Sequence, residues 1–190
     1  MERNSTLLKL VLFVFLLTSS CIVTAQTKGE WNKLKLATKE RNVVGEIITK
    51  TRQKNNYRKP PGSLALFTGP SKGKSKAVEV IGIELGRDVS RIDLSKVVSK
   101  FINETEKNLE KIFAKAEHKD MVLWFDESDE LFGKRDDPDG KLFNKTIELF
   151  LKQRSNFGGL IILSLNRERQ IIKDLHRKFN FIVDFKRKDD

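Results

Sequence analysis

The chain is poor in the residues that staple small folds. Cys21 is its single cysteine, so no disulfide can form within the chain. The two histidines, His118 and His176, have no second cysteine to join them, which argues against a structural zinc site. Long apolar runs are missing too. The run from Leu10 to Leu17 falls short of the roughly 20 residues that span a bilayer. No internal repeat or low-complexity tract is present, so repeat architectures are excluded. Acid is the scarcer sign of charge: 26 Asp and Glu stand against 37 Lys and Arg, a net charge of +11. That excess suits an anionic partner, whether nucleotide, nucleic acid or an acidic membrane face.

What is present begins with a leader. Arg3 and Lys9 precede the apolar run, and Val23-Thr24-Ala25 follows it. A basic start, a short apolar centre and small residues at the end describe a secretory signal peptide over residues 1–25, which predicts a secreted or periplasmic protein. Lys28, Lys33, Lys35, Lys39 and Arg41 follow closely and place more positive charge after the run than before it. The positive-inside rule then offers an alternative, an uncleaved membrane anchor with the body in the cytoplasm. Residues 26–60 form a basic, polar segment with Trp31 as an isolated apolar anchor. Within it "RQKNNYRKPPGS" reads as a loop. The chain of 190 residues has room for one domain with a real core.

From residue 61 onward the pattern is regular. "SLALFTG", "VSRIDLS", "MVLWFD", "GLIILSLN" and "FIVDF" read as five short strands, with "SLALFTG" and "MVLWFD" apolar enough to be buried on both faces. Between them lie helical patterns. Ala77, Val80, Ile81 and Leu85 recur at helical spacing, as do Leu109, Ile112, Phe113 and Ala116. Phe143, Ile147, Phe150 and Leu151 share a face of a third helix. Asn103 with Glu106 three residues later predicts a capping box at the start of the second. Strands alternating with helices predict an α/β fold, a parallel sheet covered on both faces.

Ligands of open parallel sheets bind beyond the carboxyl ends of the strands. Three of those ends carry residues suited to phosphate chemistry. After "SLALFT" comes Gly69-Pro70-Ser71-Lys72-Gly73-Lys74-Ser75, a glycine loop that opens a helix. Such a loop aims backbone N–H groups and the positive end of a helix dipole at an anion. Lys74 would reach the β and γ phosphates, and Ser75 would hold magnesium. After "MVLWF" come Asp126, a second magnesium ligand, and Glu127, suited to polarise an attacking water. After "GLIILSL" comes Asn166, suited to position that water. The phosphate loop is one residue shorter than the pattern with four residues between its glycines. One residue fewer shortens the backbone path by up to about 3.5 Å.

From about Trp31 to Phe185 the chain resembles the AAA+ ATPase core. "VSRIDLSKVVSKFINETEKNLEKIFAKAE" followed by "VLWFDESDELFGKRDD" carries the likeness, beyond any single motif. The resemblance implies a P-loop NTPase three-layer sandwich with a five-stranded parallel sheet in the order 5-1-4-3-2. It implies that Gly69 to Ser75 form the Walker A loop for ATP, that Asp126 and Glu127 form Walker B, and that Asn166 is sensor 1. Phe101-Ile102-Asn103 matches the family's pore loop, with Asn103 where the family has glycine. Arg177 in "RKF" matches an arginine finger, and Lys178 stands where a second finger would be. The resemblance further implies assembly into homo- or hetero-oligomeric rings with other AAA+ subunits, acting on a protein substrate. The chain reaches Asp190 just past the last strand, so the domain at 61–190 is expected to lack the family's C-terminal helical lid.

Three functions are consistent with these residues. The first is a magnesium-dependent ATPase with weak hydrolysis, using Glu127, Asn166 and Arg177. The second is a degenerate nucleotide-binding or scaffolding domain without turnover. The third, not favoured, is a basic module for nucleic acid or an acidic surface.

Overall fold

The computed structural model of the chain describes residues 36–55, 61–99, 101–126, 128, 141–166 and 176–185, all within one compact unit, Leu36–Asp190. The leader at 1–25, Trp31 and Glu127 lie outside the described residues, as do the side chains of Ser71 and Phe143.

The elements run, in chain order, α1 (Thr38–Asn55), β1 (Ser63–Thr68), α2 (Ser71–Leu85), β2 (Val89–Asp93), α3 (Ile102–Lys119), β3 (Val122–Asp126), α4 (Lys141–Arg154), β4 (Leu160–Ser164) and β5 (Phe181–Asp184). Short 3-10 turns at Leu94–Lys96 and His176–Lys178 follow β2 and precede β5. Among the described residues the five strands form one parallel sheet, order β2-β3-β4-β1-β5. Read from the other edge, this is the expected 5-1-4-3-2.

β1, β3 and β4 are buried at every position, as their continuous apolar runs demand. Strand alternation sorts their side chains to two faces. Leu64, Leu66, Leu123, Phe125, Ile161 and Leu163 join Leu109, Phe113, Ile147 and Phe150 of α3 and α4 in one apolar cluster. At its centre the Phe125 and Phe150 rings meet edge to face with centroids 4.6 Å apart, and Phe113 packs against Phe125, Phe150 and Phe157. On the other face α1 packs against α2 and β5.

Two local expectations are corrected. Arg52 to Asn55, expected in a loop, form the last turn of α1. Val44, Ile47, Ile48 and Thr51 sit at i, i+3, i+4 and i+7 and are all buried, which is why the segment is a helix despite its many charges. The capping box does not form. α3 starts at Ile102 with Phe101 at its N-cap, so Asn103 is already inside the first turn. The entry is tied instead by Ser99, whose N–H donates to Thr105 Oγ1 at 2.9 Å and whose hydroxyl meets Glu104 Oε2 at 2.5 Å. Phe101 itself is 69% exposed and takes no part in the core. Among the described residues no helix is long and apolar enough to cross a membrane.

Candidate functional site

The parallel sheet brings the carboxyl ends of β1, β3 and β4 side by side. β1 ends at Thr68 and turns through Gly69 and Pro70 straight into α2 at Ser71. The helix therefore starts two residues before Gly73, and the loop itself is only Gly69-Pro70. That is the structural form of the missing residue: the turn is taken up into the helix. Gly69 has φ +97, a conformation that excludes other residues at low cost.

Both glycines also have packing reasons. A Cβ on Gly69 would lie 2.0 Å from the Phe185 carbonyl oxygen, and one on Gly73 would lie 3.0 Å from the Phe185 ring. Phe185 continues from β5, and its N–H donates to Thr68 O at 2.9 Å. The end of β5 thus occupies the near side of the turn and fixes its path.

What remains open to a ligand is the helix end. Pro70, at the N-cap, provides no side-chain acceptor, and the first turn of α2 carries no acid. The first amides of a helix have no partner within it and carry the positive end of the dipole. Lys72 is exposed in that turn.

Lys74 turns inward and is 1% exposed. Its Nζ donates to Leu165 O and to Asn166 Oδ1, both at 2.7 Å. A buried ammonium needs such partners to offset its lost hydration. Leu165 in turn donates its N–H to Phe67 O at 2.8 Å, extending the β4–β1 pairing past the strand end. So the lysine of the glycine loop and the asparagine after β4 meet directly. Asn166 is exposed, with its amide oxygen on the buried Lys74.

Asp126, the last residue of β3, is one strand further. Its side chain is 7% exposed. Oδ2 accepts from Arg91 Nε at 3.0 Å and from Arg91 Nη2 at 2.6 Å. The Arg91 guanidinium lies 4.8 Å from the Trp124 ring centroid, and Trp124 Nε1 donates to Ser164 Oγ at 2.7 Å. At the end of β2, Asp93 accepts from the Ser95 hydroxyl at 2.6 Å. That hydrogen bond, followed by Lys96, holds its carboxyl below the usual carboxylate range.

Two cavities flank β2, one reaching Ser75 in the first turns of α2 and the other Asp93 at the end of the strand. The larger, about 340 Å³, is lined by Ser75, Ile83, Arg87, Arg91 and Trp124 among others. The other, about 320 Å³, lies among Arg91, Asp93, Lys96 and Lys115. Among the described residues no three His, Cys, Asp or Glu side chains gather in a metal-binding group.

The sequence-predicted residues therefore fall into three sets. Gly69 to Ser75, Asp126 and Asn166 gather at the strand ends. Glu127 lies outside the described residues. Arg177, exposed in the 3-10 turn before β5, lies at the amino end of that strand, the opposite end of the sheet from Lys74. Sequence reasoning missed Arg91. Its signal is a lone arginine inside a strand, and only the β2–β3 register, with Arg91 opposite Trp124, places it on the face of Asp126.

A phosphate group fits this arrangement: an uncapped 15-residue helix with no first-turn acid, and Lys72 and Lys74 beside it. A magnesium ion fits it less well. It needs oxygen ligands, and one carboxylate oxygen of Asp126 already accepts two N–H groups.

Comparison with known proteins agrees with the fold. Residues 64–187, more than half of the chain, match the model of the family described as "ATPase family associated with various cellular activities (AAA)". The chain is 31% identical over 129 residues to the uncharacterized AAA family ATPase y4kL of Sinorhizobium fredii, covering 66% of this chain and 39% of that protein. It is 30% identical over 123 residues to the ATPase family gene 2 protein of Schizosaccharomyces pombe, covering 62% of this chain and 15% of that protein. It is 25% identical over 155 residues to the vacuolar protein sorting-associated protein 4 of Dictyostelium discoideum, covering 77% and 35%. The chain thus spans well under half the length of these relatives. A five-stranded parallel sheet in the order β2-β3-β4-β1-β5, with a glycine–lysine turn at the end of β1, belongs to a chain that is a member of the AAA family of ATPases.

Proposed function

We propose that this domain binds ATP by its phosphates at the carboxyl ends of β1 and β4, and turns it over slowly or not at all. The observation that carries the reading is the meeting of Lys74 with Asn166. These residues come from segments 92 positions apart, and they converge where parallel sheets bind ligands. Family membership supports ATP as the ligand.

The division of labour follows from the chemistry. The amides of Ser71, Lys72 and Gly73 would face the phosphates, and Lys72 would add charge at the rim. Lys74 would exchange its bond to Asn166 for a phosphate oxygen while staying on the Leu165 carbonyl. Asn166, released, would be a donor and acceptor for water near the terminal phosphate. Glu127 would be the base for that water. Ser75 and Asp126 are the residues that would hold magnesium, whose chemistry is to neutralise charge on the β and γ oxygens. Slow turnover follows from the two-residue loop, which leaves fewer free amides to wrap the phosphates, and from the engagement of Asp126 by Arg91.

Arg177, at the far end of β5, cannot serve the site of its own chain. If it acts as a finger, it does so on a neighbouring subunit, in keeping with ring assembly.

The test is ATP binding by calorimetry on the full chain and on Lys74→Met, which keeps the side-chain length and removes the charge. Affinity should fall at least tenfold. Equal affinity in the two proteins would contradict the reading. The Glu127→Gln variant then separates turnover from its absence: retained ATP on the variant means hydrolysis in the parent.

A further inference from the structure

We propose that Arg91 is the resident cation of this site: its guanidinium takes the place on Asp126 that a divalent metal would take, so that nucleotide binds without metal. The proposal rests on the nucleotide reading of the strand ends, and its test separates the two.

The geometry comes from three adjacent strands. Parallel pairing sets Arg91 opposite Trp124 and Asp93 opposite Asp126. Arg91, Trp124 and Asp126 therefore share the face of the sheet that also carries Ser164. From its place opposite Trp124, the arginine reaches diagonally forward to the end of β3. It crosses the indole ring at 4.8 Å, and the ring is held in turn by its N–H bond to Ser164. Arg91 is thus aimed at Asp126 by a ring fixed to the next strand, not merely left near it.

Exposure matters here. The Arg91 side chain is 60% exposed and the Asp126 side chain 7%. An exposed pair of this kind on a helix surface contributes little. Here one partner is buried, and the solvent-facing partner covers it. Two of the guanidinium N–H groups, on Nε and Nη2, go to Oδ2, at 3.0 and 2.6 Å. A metal that bound Asp126 through this oxygen would have to break both bonds and then sit beside the displaced positive charge.

For the phosphates the consequence is additive. Arg91 borders the same 340 Å³ cavity as Ser75, the residue that follows Lys74. A fixed positive charge on that side of the helix end supplies part of what a magnesium ion would supply. It does not polarise a bound water, so binding is kept while hydrolysis is not helped.

The experiment uses the full chain with Trp31→Phe, which leaves Trp124 as the only tryptophan. ATP affinity is measured in EDTA and in magnesium, and manganese alone is titrated by electron paramagnetic resonance and by Trp124 fluorescence. The parent should bind ATP with affinities within about twofold in the two buffers. Arg91→Gln should lose ATP affinity in EDTA and regain it at least tenfold with magnesium. It should also bind manganese at least tenfold more tightly than the parent, an effect removed by adding Asp126→Asn. Arg91→Lys keeps the charge without the fork and should fall between.

A parent that needs magnesium for ATP by tenfold or more overturns the proposal and leaves the nucleotide reading standing. If no ATP binds in either buffer, the nucleotide reading fails, and the manganese titration still decides the role of Arg91. Equal manganese affinity in parent and Arg91→Gln overturns that role.

Discussion

The two faces of the sheet use the same strands for different ends. On the α3–α4 face, Phe125 meets Phe113 and Phe150 within an apolar cluster. On the opposite face, the residues on either side of Phe125, Trp124 and Asp126, are bound by polar contacts to Ser164 and Arg91. The first face is held by volume; the second, which also buries Val44, Ile47, Phe67 and Ile81, adds a chain of directed bonds across β2, β3 and β4. Substitution in the ring cluster should therefore cost stability alone, and substitution along the polar chain both stability and ligand binding.

The largest effect is expected from Phe125→Ala. Phe125 is fully buried and central to the ring cluster, and truncation of such a side chain costs about 3–5 kcal/mol. Denaturant unfolding should show it. A loss comparable to that of a surface substitution would mean that the cluster is not the core.

Trp124→Phe comes next and breaks the contrast from the other side. It keeps an aromatic ring but leaves the Ser164 hydroxyl, which is fully buried, without its indole donor. About 1–3 kcal/mol is expected. Arg91 loses its fixed platform at the same time, so ATP affinity in EDTA should fall as well. A stability loss with ATP binding untouched would show that the polar face is structural only.

How far the sequence revealed this molecule follows the same division. The strands with continuous apolar runs, such as "SLALFT" and "LIILS", were readable because burial on both faces demands that composition. Ile102–Lys119 was readable from its 3.6-residue periodicity. α1 was hidden because basic residues dilute an apolar stripe of only Val44, Ile47 and Ile48. The start of α3 was misread because Ser99 and Thr105, outside any local capping pattern, tie the entry together.

At the site, residue types were legible and their pairings were not. Lys74, Asp126 and Asn166 stand out as residues at strand ends. That Lys74 rests on the Leu165 carbonyl, and that Arg91 reaches Asp126, depends on strand register and neighbour order, which are properties of the assembled sheet. The glycines carried a double meaning. Gly69 and Gly73 suit a phosphate loop, yet Gly69 is also required by the Phe185 carbonyl and Gly73 makes room for the Phe185 ring.

The claim under all of this is that ATP is held at the carboxyl ends of the strands. Hydrogen–deuterium exchange of the full chain, with and without ATP, tests it most directly. Slower exchange is predicted for the amides of Gly69, residues 71–75 and 164–166, with no change at residues 176–180 before β5. Unchanged exchange at 69–75, or protection confined to the 176–180 end, would contradict it.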